Sequence, residues 1–202
     1  MSESEIREPI QKRSIEKKEK IIKFGFELIC EKGYYNTNTA EIAKAAGVST
    51  GIVYQYFKDK HDILIAGIEK YACDIFYPML SVVKNEIIID KNNLNTILRN
   101  MINRFIEEHK LSQSAHQEIM AMTHSDEEVA HFFQDYEIYI TNTLYDILIK
   151  NNFRDDNLHE KVHISMHLID DLCHEIVYHK HTNLNYDAMI TLVIDSIINL
   201  IL

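Results

Sequence analysis

Eleven histidines and three cysteines are the side chains of this 202-residue chain best suited to chemistry, and their spacing decides which chemistry is open to them. His159, His163, His167, Asp170 and His174 follow one another at intervals of three or four, which lines them along one side of a helix. His163 and His167 stand at the i, i+4 spacing of a metal chelate, and imidazoles also titrate near neutrality, so this stripe is the weaker alternative of a metal or pH sensor. The reading preferred is the polar side of an amphipathic helix, opposite Leu168, Ile169, Leu172 and Ile176. There is no HExxH pair and no paired Glu-x-x-His set; His116-Gln-Glu118 and His174-Glu175 stand alone. An enzyme is therefore not expected, and neither is a cofactor. Cys30, Cys73 and Cys173 are odd in number, far apart and without a CxxC, so they are expected to be buried thiols, not a disulfide framework or a zinc ribbon.

A second set of chemically useful groups is concentrated between residues 38 and 60. Asn38 and Thr39 offer capping oxygens, and Glu41 is placed to complete a capping box from Asn38 ahead of the run Ala40, Ile42, Ala43, Ala45, Ala46. Gly47 permits a sharp turn, Val48 can plug the core beneath it, and Ser49 can cap a third helix running to about Phe57. Helix, tight glycine turn, helix is the helix-turn-helix unit. Thr39 can also aim its hydroxyl and the helix N-terminus at a phosphate. Ser49, Thr50 and Gly51 open the recognition helix, where short side chains let the backbone enter a major groove. Gln55 shares the outer face and is able to pair with adenine. Ala43 and Ala46 let the helices approach, while Val53 and Phe57 fill the small core.

The elements around this unit follow from helical periodicity and from polar breaks. A first helix spans about 13–32, with Ile15, Ile21, Ile22, Phe26, Leu28 and Ile29 as its apolar side, and Gly33 stops it. Asp59 and Asp62 read as the cap and third-residue carboxylates of a long fourth helix, with Ile63, Leu64, Gly67, Ile68, Tyr71 and Ile75 inward and Pro78 as its kink or end. Further helices are expected at about 93–109, 112–123, 126–151, 157–181 and 184–202. With two prolines and five glycines, the chain has little material for a sandwich or barrel and is expected to be all-α, with about nine helices. Residues 1–11 are expected to form a disordered arm, 12–60 the helix-turn-helix domain, and 61–202 a helical remainder. The last helix is apolar nearly all round, from Ile190 to Leu202. That predicts pairing of the last two helices with a second copy in a two-fold four-helix bundle.

Charge is divided unevenly. Residues 1–70 hold 12 basic and 11 acidic side chains, whereas residues 71–202 hold 9 and 20. Lys12, Arg13, Lys17, Lys18, Lys20 and Lys23 crowd the start of the first helix, which suits phosphate contact while the acidic remainder repels it. No apolar run long enough for a membrane span occurs, and the start of the chain lacks a signal-peptide centre, so a cytoplasmic location without membrane partners is expected.

The stretch from Thr39 to Leu64, extended back to Ile21, resembles the signature of the TetR/AcrR family of transcriptional regulators. Agreement falls at Gly33, Thr39, Ile42, Ala43, Ala46, Gly47, Val48, Ser49, Tyr54, Phe57, Lys60 and Leu64. It departs at Gly25, where the family usually has alanine; this weakens the first helix by up to about 1 kcal/mol. The resemblance implies an N-terminal DNA-binding domain of three helices and a C-terminal domain for ligand binding and dimerisation. It implies that Tyr54, Tyr56 and Lys60 touch the sugar-phosphate backbone. The partners it implies are a palindromic double-stranded operator gripped by a homodimer and a small-molecule effector that releases it, with repression the commoner habit. Effector contacts are expected from Phe105, His109, His116, Met120, His124 and Phe133, and from Tyr136, Tyr139, Met166, His167, Asp170 and His174. A helical adaptor that binds protein through its first 65 residues is the rival from another class.

Overall fold

The computed structural model describes residues 12–85 and 88–202; the expected arm at 1–11 lies outside the described residues. Among the described residues there are nine α-helices and no strand: α1 (Lys12–Lys32), α2 (Thr39–Ala45), α3 (Thr50–Tyr56), α4 (Lys60–Lys84), α5 (Leu94–Glu108), α6 (Gln113–Ser125), α7 (Glu127–Lys150), α8 (Leu158–Tyr178) and α9 (Tyr186–Ile201). Each lies within a few residues of its expected place, because its ends are written in polar chemistry. Asn38 accepts from the Glu41 amide while the Glu41 carboxylate accepts from the Asn38 amide, completing the capping box of α2. Asp59 accepts from the amides of His61 and Asp62 at the start of α4, and the Asp62 carboxylate accepts from the Lys58 amide. At the end of α7, Asn152 takes a left-handed φ of 67°, and the Phe153 amide turns back to the Leu148 carbonyl.

Packing divides the chain into two compact units. The first holds the described residues up to Ala72 together with Leu111–His131; the second holds Cys73–Lys110 and Phe132–Leu202. Helix α6 and the start of α7 thus pack with the N-terminal helices. In the first unit α1 packs on α2, α3 and α6 around Ile21, Ile29, Ile42, Val53, Ile63, Leu64 and Ile119, all nearly or wholly excluded from solvent. In the second, α5, α8 and α9 pack on one another around Ile102, Phe105, Leu158, Ile169, Ile194 and Ile197.

Two expectations are corrected. Pro78 does not end α4, which continues to Lys84; proline removes one amide donor, and the Ser81 hydroxyl donates to the Pro78 carbonyl at 2.6 Å in the following turn. Cys73 is exposed, not buried, because α4 turns Ala72 and Ile75 inward and leaves position 73 outside. Burial does hold for Cys30, whose thiol it pushes up to about 12, and for Cys173, whose thiol it raises further. Within its own chain helix α9 buries Ile190, Ile194, Ile197 and Ile201 and leaves Leu192 65% exposed.

Gly25 does more than weaken α1. A Cβ there would lie 2.6 Å from Ile63 Cγ2 and 3.0 Å from Ile42 Cγ2, so the missing side chain lets α1 approach α2 and α4. Gly67 repeats this on α4, where a Cβ would meet Phe26 Cδ2 at 2.5 Å and Cγ at 2.6 Å. Gly51 on α3, by contrast, has only Ser49 Oγ at 4.0 Å. Gly67→Ala should therefore cost about 1–3 kcal/mol through overpacking, whereas Gly51→Ala should add about 0.5–1 kcal/mol of helix stability. Urea unfolding of the two variants checks this, and shifts in the same direction would refute the close-approach account.

Candidate nucleic-acid interface and regulatory region

The face of α3 that could meet a duplex is built by turning everything bulky inward. Gly47, with φ of 67°, makes the turn from α2 that a side chain would strain, and the Val48 amide closes it on the Ala43 carbonyl at 3.0 Å. Ala43, Ala46, Val53 and Phe57 are buried beneath it, and Val48 is half-buried. Ser49, Thr50, Gly51, Tyr54 and Gln55 are exposed, with Tyr54 at 47%. Ser49 occupies the N-cap position but makes no side-chain cap bond, so its hydroxyl faces outward uncommitted to the helix. Thr39 is the first residue of α2, not its cap; Asn38 takes that task, and the half-buried Thr39 hydroxyl is left to other partners. Short hydroxyls, one amide and one phenol on a convex helix make up a set able to enter a groove and bond base edges and phosphates.

Two of the expected backbone contacts have other occupations. Tyr56 is only 8% exposed and belongs to the core of the head, since its position on α3 lies on the Val53 side, away from Tyr54 and Gln55. Lys60 donates from Nζ to the Tyr34 carbonyl at 2.6 Å and the Thr37 carbonyl at 2.8 Å, and it lies 4.3 Å from the centre of the Tyr34 ring. This ammonium ties the α1–α2 connection to the start of α4. Lys60→Met should cost about 2 kcal/mol of unfolding free energy, the scale of hydrogen bonds to a charged donor. A variant that loses DNA affinity at unchanged thermal stability would return Lys60 to the phosphate role.

The same connection is held from α6. Glu118 Oε1 accepts from the Tyr34 amide at 2.7 Å, and Asp126, between α6 and α7, accepts from His61 Nε2 at 2.8 Å. Burial works against ionisation of Asp126, yet the amides of Val129 and Glu128 and the His61 ring outweigh it and hold the carboxyl below the usual range. Of the effector candidates in this unit, His116 is buried, Met120 half-buried and His124 exposed.

In the second unit His159, His163 and His174 bond to partners on neighbouring elements, while His167 is exposed and pairs with His163 of its own helix. Thr141, fully buried, gives its single proton to the Glu137 carbonyl, so His163 Nδ1 must donate to its Oγ1 at 3.0 Å. His163 Nε2 and His167 Nε2 are 3.2 Å apart and share one proton, and His159 Nε2 bonds Asn142 Oδ1 at 2.7 Å. Among the described residues no three His, Cys, Asp or Glu side chains are grouped to hold a metal, which leaves the His163–His167 alternative without a third ligand. Phe105, His109, Asp170 and His174 do come together. His109 Nδ1 donates to the Phe105 carbonyl at 2.7 Å, His174 Nδ1 donates to the Asp170 carbonyl at 2.9 Å with Asp170 Oδ2 at 3.2 Å, and the two Nε2 atoms face each other at 3.3 Å. Both Nδ1 atoms carry protons and one more lies between the rings, so the pair holds a single positive charge, which Asp170 draws to His174. Phe133, Tyr136 and exposed Tyr139 fall in an aromatic row with Phe132 and Phe76, two rings the sequence pattern did not single out, and Phe76 joins that row to Phe105 at 5.3 Å between ring centres.

Burial lowers the His109 pKa, so its contribution is present above the ordinary imidazole value of about 6.5 and is lost as pH falls through the folded value. Burial also opposes the charge on His174, but the Asp170 hydrogen bonds and charge win and raise its pKa; its contribution is present at low pH and lost as pH rises through the folded value. The low-pH loss from His109 is common to both proteins, so the stability that separates the protein from His174→Asn should be greatest at low pH and decline as pH rises through the folded value of His174. Thermal unfolding of both proteins across about pH 5 to 8 tests this; a difference that rises steadily over the range would refute the shared charge.

A cavity of about 50 Å³ lies elsewhere in this unit, walled by α4, α5, α7, α8 and α9 side chains including Val83, Leu98, Met101, Leu144 and Ile197. Its one hydroxyl, Ser165, is spent on the Lys161 carbonyl at 2.7 Å, so the wall is apolar throughout. Met166 is the single expected effector contact that lines it.

Residues 21–66 match the family described as bacterial regulatory proteins, tetR family. The HTH-type transcriptional regulator HbdR of an Aromatoleum species is 51% identical over 49 residues, 24% of this chain and 21% of that protein. The fatty acid metabolism regulator protein of Bacillus subtilis is 50% identical over 46 residues, 23% of this chain and 24% of that protein. The match thus spans about a quarter or less of either relative, and both are named as regulators, not enzymes. A crystal structure from Mesorhizobium loti assigned to the TetR-family transcriptional regulators superposes with a TM-score of 0.70 at 20% identity, over 94% of this chain and 97% of that one, which establishes the fold. Its N-terminal helices match the tetR family of bacterial regulatory proteins, and its fold is that of the Mesorhizobium loti structure.

Proposed function

We propose that the protein is a ligand-responsive transcriptional regulator, a repressor, that grips a palindromic operator as a homodimer and is released by a small-molecule effector. The observation that carries this is the outer face of α3: Ser49, Thr50, Gly51, Tyr54 and Gln55 are exposed together over a fully packed underside. Thr39 joins them from α2, and two such faces related by a two-fold axis read two half-sites. Pairing through α8 and α9 is supported by the apolar side chains these helices leave open, Ile164 and Leu168 on one and Leu192 on the other. Effector binding falls in the second unit, with its apolar cavity and the aromatic and histidine cluster around Phe105. The effector must bind the released state more tightly than the DNA-bound one, since equal affinity shifts nothing.

Thr50→Ala or Tyr54→Ala should weaken binding to the chain's own promoter region by about 1–3 kcal/mol while leaving the dimer folded. A gel shift at fixed salt with random competitor, beside a sedimentation measurement, is the check. Unchanged affinity of both variants would remove the assignment of α3, and a strictly monomeric protein would remove the two-fold reading.

A further inference from the structure

The acidic balance of the chain makes phosphate attraction a local problem that a few cations must solve. Residues 71–202 hold 9 basic and 20 acidic side chains, so the field of most of the molecule repels a duplex. In the head, two cations next to the helix-turn-helix are already held: Lys32 by Glu41 at 2.8 Å and Lys60 by two carbonyls. The first half of α1 differs. From Lys12 to Lys23 it carries six basic and two acidic side chains, and among the described residues Arg13, Lys17 and Lys20 form no ion pair with either acid or with any other carboxylate. Arg13 and Lys20 are exposed and Lys17 is half-buried.

Their spacing makes them a row. Positions 13, 17 and 20 are spaced by four and three and share one side of the helix, Arg13 and Lys17 standing two turns and one turn ahead of the buried Ile21, Gly25 and Ile29. At 1.5 Å per residue the row covers about 10 Å of helix axis, the axial length of about three phosphates of one DNA strand. The neighbouring Lys18 has its ammonium 5.9 Å from the centre of the Phe57 ring, and Phe57 is the C-cap of α3. This half of α1 is therefore carried beside the end of α3.

We propose that the Arg13–Lys17–Lys20 face of α1 is a second DNA-contacting surface that grips the phosphates of one strand beside the helix-turn-helix and supplies the sequence-independent part of binding. The proposal rests on the DNA-binding reading of α3 but assigns a different surface and a different kind of contact. It adds phosphate contacts beside a helix-turn-helix whose Lys60 already donates to two carbonyls.

The test is a salt titration of binding to a promoter fragment and to a random-sequence duplex, using the full chain, the charge-removed variant R13Q/K17Q/K20Q and the charge-keeping variant R13K/K17R/K20R. The plot of log affinity against log salt should become shallower by about 0.9 for each phosphate no longer neutralised, ~2.7 per bound protomer, in the charge-removed variant alone. Affinity at low salt should fall at least about tenfold for both duplexes, leaving their ratio unchanged. The charge-keeping variant should retain slope and affinity, which separates the removal of charge from damage to the helix. An unchanged slope in the charge-removed variant, or an equal fall in affinity for both variants, overturns the proposal. Wild-type binding without preference for the promoter fragment would instead sink the operator reading of α3, and the random-duplex slopes would still decide the α1 face.

Discussion

Where α1 crosses α4, Gly67 presents a hydrogen to the ring of Phe26, and Gly25 presents another to Ile63 and Ile42. These two absences set the distance between helices in the head. At that distance Ile21, Ile42, Ile63 and Val53 are sealed from water with small volumes between them, and α3 needs only its inner residues to be fixed in place. Its outer residues are then free of structural duty. A recognition surface of serine, threonine, glycine and glutamine contributes almost nothing to its own folding, so the rigidity it needs must be generated underneath it.

Polar groups extend that rigidity outward. The α1–α2 connection has its carbonyls taken by Lys60 and the Tyr34 amide taken by Glu118, so a loop that would otherwise be solvated is bonded from α4 and from α6. The second unit uses its histidines in the same way. Each ring nitrogen on the helix-facing side meets a hydroxyl, an amide oxygen, a carbonyl or another imidazole. What resembles a sensor stripe along one helix is, in three dimensions, tied to α7 through His159 and His163 and to the end of α5 through His174.

Most of the local structure was legible in the residues. Capping boxes, the glycine turn and the polar breaks between helices depend on neighbours in sequence, and they fell where Asn38, Glu41, Gly47 and Asn152 placed them. The outer face of α3 was legible too. Tyr56 and Lys60 were not, because an aromatic ring or a long ammonium side chain serves a core or a clasp as well as a phosphate, and only the packing of α1 and α4 chooses. Gly25 carried a propensity cost that could be read and a steric necessity that could not, since Ile42 and Ile63 are distant in sequence. The cavity in the second unit was illegible for a related reason: its wall is built of aliphatic residues from five helices, indistinguishable one by one from ordinary core.

Asp126 shows how narrow the choice of side chain becomes where tasks coincide. Its carboxylate accepts from the first amides of α7, while its backbone amide closes α6 on the Met122 carbonyl and its other oxygen reaches His61 on α4. Glutamate would overreach the cap, asparagine would give up the charge that His61 meets, and serine would do one task of the two. A position so overdetermined has little freedom to drift: its tolerance to mutation is set by the strictest of its obligations, and most single-residue routes through that corner are closed.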